Sequence, residues 1–197
     1  MSSPPLRVAE VGGSGEPPGA LAGLFDAHRT TRGRWCTASC STRRVFATGC
    51  RTGRNRSRLE ALAEESGDPV GVAVRERGTP VAWVACGPRS RFRAAEAGRG
   101  ALLAGLDRAE DHHVPQLPCF SVRPDRRGQG LPRVALNGAL VAARRRGARA
   151  VEGWPVSEDR DPDPDPAFLG REATFLAAGF RVVSTPAPGR VLVRREL

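Results

Sequence analysis

The sequence predicts a single α/β domain of the α+β kind, a mixed sheet of about six to seven strands flanked by about four helices. Three observations carry this expectation. The chain has 197 residues, enough for one substantial core and short of two ordinary domains. Apolar periodicity alternates between strand and helix periods along its length. Tight turns join some strands while helical stretches separate others, which calls for both antiparallel and parallel pairing.

Leu6 to Val11 reads as a first strand, and Gly19 to Arg29 places Leu21, Leu24 and Phe25 at helical spacing. Residues 1–5 and the Gly- and Pro-rich residues 12–18 are expected to be flexible. Thr30 to Arg56 is rich in Arg, Thr, Ser and Gly, with Trp35 and Phe46 as large apolar anchors, and reads as partly irregular. Ser57 with Glu60 forms a capping box before "RLEALAEE", and Gly67 supplies the stop.

Val70 to Glu76 and Pro80 to Cys86 then read as two strands around a tight turn at Arg77, Gly78 and Thr79. The second is apolar on both faces, as a central strand is. A helix-like patch, "ALLAGLDRAED", precedes a strand from Gln116 to Val122. Leu131 to Arg146 is helical, with Arg133, Asn137 and Arg144 on its polar face. A strand from Ala148 to Trp154 follows. The acidic Pro-rich loop at 157–167 cannot be regular structure, because proline recurs there at alternate positions. The helix "REATFLAAG" and the strands "FRVVST" and "RVLVRREL" close the chain.

Composition narrows the function classes. The net charge is +10, yet every basic residue apart from the histidines is Arg, which points to codon-level bias, and the arginines are spread along the chain. With seven Phe and three Trp there is no basic and aromatic platform, so nucleic acid is not expected as a partner. Five cysteines at 36, 40, 50, 86 and 119 make no disulfide framework and match no compact zinc pattern; reduced thiols and no metal are expected. No apolar stretch suits a membrane span and no secretory leader is visible, so a cytoplasmic protein is expected.

The stretch "SVRPDRRGQGLPRVAL", Ser121 to Leu136, carries the chemistry. A strand, a turn with Gly128 and Gly130, and a helix starting near Leu131 bring backbone N–H donors and a positive helix end around one small volume. Arg126, Arg127 and Arg133 add charge, which fits a diphosphate. The glycine spacing is that of neither a P-loop nor a dinucleotide fingerprint.

Here the chain resembles the GNAT superfamily of N-acetyltransferases, whose signature is Arg or Gln, two residues, Gly, one residue, then Gly or Ala. Arg127, Gly130 and Pro132 occupy those positions, and the late "FLAAGF" mirrors the family's helix running into its sixth strand. The likeness is greatest to a bacterial branch marked by Trp35-Cys36, Gly87-Pro88-Arg89 and "EGWPV" from Glu152. It implies the GNAT fold: a mostly antiparallel sheet whose fourth and fifth strands splay apart, with acetyl-CoA in the gap. Phe120, Ser121 and Val122 would pair with its pantetheine arm. Arg127, Gly128, Gln129, Gly130, Leu131 and Pro132, with Arg133, would hold its diphosphate.

The resemblance further implies transfer of an acetyl group to a primary amine, which attacks the thioester directly while a fourth-strand N–H stabilises the oxyanion. The acceptor would be a small molecule or peptide, a cationic one if the Asp-Pro run from Asp161 to Pro166 lies over its pocket, and a homodimer is allowed. Two departures stand out. Pro132 removes one amide, though the first helical turn tolerates proline. Phe175 falls where the family often uses Tyr to protonate the leaving thiolate, and the chain has no Tyr; Cys119, Ser121 or water would substitute.

For the general base, strand alternation puts Ala150, Glu152 and Trp154 on one face, making Glu152 the candidate, with pairing to an arginine as the alternative. His112 and His113 are another option, against simple loop exposure. Trp154 and Trp35 would line the acceptor pocket or pack in the core. An acyl-CoA-binding module without turnover, and an enzyme acting with an RNA or aminoacyl-tRNA partner, are the alternative functions.

Overall fold

The computed structural model describes residues 5–28, 31–35, 53–92, 110, 112–158 and 169–197. Seven strands form one mixed sheet in the order β1-β2-β3-β4-β5-β7-β6. They are β1 (Leu6–Gly12), β2 (Pro69–Glu76), β3 (Thr79–Pro88), β4 (Pro115–Val122), β5 (Ala150–Gly153), β6 (Arg181–Ala187) and β7 (Arg190–Glu196). Among the described residues four α-helices flank it: α1 (Ala22–Phe25), α2 (Arg54–Ser66), α3 (Leu131–Arg145) and α4 (Glu172–Leu176).

All pairings are antiparallel except β4 with β5, which α3 connects as a crossover. The β2–β3 hairpin turns on Arg77 and Gly78, both at positive φ (49° and 81°), as a two-residue turn matched to strand twist requires.

The sheet buries both faces. Val72, Val74, Val84, Phe120, Val151 and Val193 pack under α3 and α4, whose Leu136, Leu140 and Phe175 complete that core. Ala73, Trp83, Ala85 and Cys119 face Leu24, Phe25, Trp35 and Leu59 on the other side. Each such large side chain stabilises the fold by roughly 1.5–3 kcal/mol. Arg133, Asn137 and Arg144 are exposed on α3, as its periodicity requires.

Several boundaries differ from expectation. Residues 12–18 form a closed turn, with the Gly12 N–H donating to Glu16 O (2.8 Å) and the Glu16 carboxylate gripping Arg75. The first helix is short, a 3-10 turn at Pro18–Leu21 running into α1. Ser57 lies inside α2 rather than capping it; the N-cap is Gly53, and Gly67 ends the helix at φ 62°. The fifth strand is confined to Ala150–Gly153. The patch at 101–109, Phe46 and most of the acidic loop lie outside the described residues.

Candidate active site

Parallel pairing of β4 and β5 is brief. Gln116 faces Glu152 and Leu117 faces Gly153, and the pairing ends there. On its other side β4 stays on β3 through Val122, so among the described residues Cys119 to Val122 have an open edge toward β5. A bulge marks the parting: Leu117 and Pro118 together stand opposite the single residue Cys86. Proline, lacking a donor, suits such a position and makes no ladder bond toward β5.

The alternation of ladder bonds says which groups face the gap. Arg123 N–H donates to Val81 O (2.9 Å), so Ser121 and Cys119, two and four residues earlier, also bond to β3. Phe120 and Val122 therefore turn their N–H and C=O toward the open side. Of the three residues expected to form the pantetheine edge, these two present backbone and Ser121 presents only its side chain to its surroundings.

Beyond β4 a 3-10 turn (Pro124–Arg126) leads into the loop 127–130 and the start of α3. Gly128 and Gly130 have φ 77° and 72°, conformations that L side chains rarely adopt. The N–H groups of Gly128, Gln129, Gly130 and Leu131 find no acceptor among the described residues, and no side chain caps α3. Four uncommitted donors at a helix N-terminus form an anion cradle. Pro132 sits at the second helical position, where its missing N–H removes no intrahelical bond.

The arginines divide by role. Arg126 is tied to Glu76 (2.7 Å) and Arg123 to Asp125 (2.7 Å), which brace the loop. Arg127 and Arg133 are exposed and pair with no carboxylate among the described residues. Asp125's carboxyl is held below its ordinary range, chiefly by the hydrogen bond from Arg123. The donor set thus fits a diphosphate.

The open edge has a distinctive lining. Phe120 and Phe175 meet edge to face with ring centres 5.6 Å apart, and Phe180 continues the stack at 5.1 Å. Phe175 lies so close over β5 that a Cβ at Gly153 would collide with its ring. Phe175 itself carries no hydroxyl. Ser121 Oγ is buried and has no hydrogen-bond partner among the described residues. Its cross-strand neighbour Trp83 likewise buries an unpartnered Nε1. Cys119 is disulfide-bonded, so it has no thiol proton to give; the expectation of reduced cysteines is corrected at this position. Cys86 is a free thiol.

Glu152 shows the paired alternative. It is fully buried, and Arg89 donates to both its oxygens, Nε to Oε2 at 2.8 Å and Nη2 to Oε1 at 2.7 Å. Arg194 Nη1 adds a bond at 3.1 Å and Gln116 Nε2 one at 3.5 Å. An acceptor proton finds no open lone pair there unless an arginine withdraws. Glu110 joins the cluster through Arg194 (2.7 Å) and Arg89 (3.2 Å); the Arg194 hydrogen bond, outweighing burial, holds its carboxyl below the ordinary range.

The other candidates lie elsewhere. His112 and His113 are exposed at the start of β4, at the opposite end from the loop, and His112 Nδ1 is 3.2 Å from Ser90 Oγ. Trp35 is core, its Nε1 on Asp26 (2.8 Å), and Trp154 is buried. Sequence reasoning missed the Arg89, Glu110 and Arg194 cluster. It also missed the bulge, for which Pro118 inside a strand was the available signal. Among the described residues no group of His, Cys, Asp or Glu is clustered to hold a metal, and no helix is long and apolar enough to cross a membrane.

A gap between β4 and β5 with an anion cradle at its mouth is the site architecture expected of acyl-CoA-dependent transferases of this fold. The profile of the Acetyltransferase (GNAT) family matches residues 40–163, and the chain belongs to that family. No curated protein matches it in sequence. Among solved structures it is similar to an acetyltransferase from Thermus thermophilus (18% identity, all of both chains covered, TM-score 0.57). It is also similar to a putative acetyltransferase from Acinetobacter baylyi (13%, 100% of this chain and 94% of that one, 0.58). A third is the PaiA N-acetyltransferase from Thermoplasma acidophilum in complex with coenzyme A (10%, all of both chains, 0.56). At these identities the likeness speaks for the fold.

Proposed function

We propose that the protein transfers an acetyl group from acetyl-CoA to a primary amine by direct attack in a ternary complex. One observation carries the reading: the open edge of β4 runs straight into a loop with four uncommitted N–H donors at the head of α3. The gap offers Phe120 and Val122 backbone groups for the pantetheine amides, and the loop with Arg127 and Arg133 matches the diphosphate. The solved complex of the Thermoplasma PaiA enzyme with coenzyme A supports the same assignment by fold.

Acetyl-CoA supplies a thioester carbonyl activated toward amines. The amine nitrogen forms a bond to that carbonyl carbon, the carbon–sulfur bond breaks, and the nitrogen loses a proton as the thiolate gains one. A β4 N–H facing the gap, at Phe120 or Val122, would donate to the carbonyl oxygen as charge grows on it. Ser121, whose buried hydroxyl has no partner among the described residues, would relay a proton to sulfur, since Cys119 is disulfide-bonded and Phe175 has no hydroxyl. Glu152 acts as a positioning residue through Arg89.

A second reading, acyl-CoA binding without turnover, is favoured by the buried Phe175 and its contact with Phe120. Thiol release across a panel of amines separates the two. Amine-dependent release supports the transferase; tight binding of acetyl-CoA with no release on any amine supports the binding module.

A further inference from the structure

We infer that a cleft at the C-terminal end of α3 binds a small aliphatic carboxylate, held by the guanidinium of Arg91. The cleft encloses about 370 Å³, within the range of small-ligand sites. It lies where the start of β2, the end of β3, the approach to β4 and the last turn of α3 converge. Because α3 is 15 residues long, roughly 22 Å separates it from the diphosphate cradle at the other end of the helix.

Arg91 is the feature that calls for a ligand. Its Nη1 donates to the carbonyl oxygens of Pro69 (3.2 Å) and Cys86 (3.4 Å). Its Nε and Nη2 donors have no acceptor among the described residues. Those two N–H groups are the side-on fork of the guanidinium, which matches the two oxygens of a carboxylate. Arg75, Arg89, Arg126, Arg146 and Arg194 are also held against the sheet, and each closes on a carboxylate. Burial lowers the pKa of Arg91, and the nearby Asp68 carboxylate offsets this only in part.

The surroundings select the class of anion. The backbone is shaped to admit the guanidinium, since a Cβ at Gly87 would stand 2.5 Å from Arg91 Nη1. Arg146 across the cleft is committed to Glu10 (2.6 Å), and Asp68 stands exposed on the rim, 4.0 Å from Arg146 Nε. His112 and His113 also line the cleft; with Arg146 committed to Glu10 and Asp68 on the rim, the Arg91 fork suits a monoanion better than a phosphate dianion. Val72, Ala142, Ala143 and Pro115 give an apolar wall for a short alkyl body. Cys86 also lines the cleft, and burial pushes its thiol up to about 12, so it presents a neutral S–H.

The test is an amide NMR titration of the full chain with sodium butyrate, with sodium chloride at equal ionic strength and inorganic phosphate as parallel arms. Saturable shifts of the Gly87 and Gly147 amides are expected with butyrate, and not with chloride. Arg91→Met should weaken butyrate about tenfold or more, and Arg91→Lys, which keeps the charge without the fork, by several-fold. Non-saturating shifts on the wild-type protein, equal affinity in the Arg91→Lys variant, or tighter binding of inorganic phosphate than of butyrate would each overturn the assignment.

Discussion

Arg89 grips both carboxylate oxygens of Glu152 at the last rungs on which β4 and β5 pair. Two of the three sequence marks on which the branch resemblance rests, Gly87-Pro88-Arg89 and "EGWPV", are thereby one structural unit. Desolvating such a pair is costly and its net contribution to stability is small, but removing one partner strands a buried charge. Arg89→Met is therefore expected to destabilise the protein by about 3–5 kcal/mol in urea unfolding. Glu152→Gln should act in the same direction. A Glu152→Gln variant of wild-type stability whose turnover falls and whose pH profile shifts would restore Glu152 as the general base.

At the cradle, Arg127→Ala is expected to weaken acetyl-CoA binding about tenfold, the worth of one charge-assisted contact. Pro132→Gly should change it by less than about twofold, because the donors of Gly128 to Leu131 already converge without it. Calorimetric titration of both variants checks this, and marked tightening in Pro132→Gly would show that the missing amide matters.

Ser121→Ala should lower kcat while leaving the affinity for acetyl-CoA near its starting value, since the hydroxyl makes no bond among the described residues. Equal loss of binding and turnover would assign the residue to packing. Cys119→Ser should lower the melting temperature, by the equivalent of about 2–4 kcal/mol, and make it insensitive to dithiothreitol, which lowers that of the wild-type protein.

Glu110 predicts an acid-labile contribution. Its carboxyl is depressed in the fold by Arg194 and Arg89, so the folded state binds its proton less readily than the unfolded state. That stabilisation is present above the ordinary carboxylate pKa of about 4.3 and fades as pH falls through the lower folded value. Glu110→Gln should melt below the wild-type protein near neutral pH, with the difference closing as the pH drops below about 4. A difference independent of pH would contradict it.

The sheet was legible because its central strands are short, nearly continuous apolar runs, set off by the helix stop at Gly67 and the turn at Arg77-Gly78. The cradle was legible because two glycines and a helix start are local in sequence. Glu152 was located on the right strand, but its partners Arg89, Gln116 and Arg194, with Glu110 behind them, come from distant parts of the chain, and no local pattern announces a contact across such separations. The α2 start was misread because Ser57 and Glu60 fit a capping box while Gly53 opens the helix earlier. The Cys119 disulfide was hidden by the odd cysteine count.

The most direct measurement is thermal denaturation with acetyl-CoA, desulfo-CoA and ATP. Acetyl-CoA and desulfo-CoA at about 100 times their dissociation constants should each stabilise the protein by about 2.7 kcal/mol, and ATP should do markedly less. No stabilisation by acetyl-CoA at any concentration up to millimolar would contradict the assignment of the β4 edge and the 127–132 loop as an acyl-CoA site.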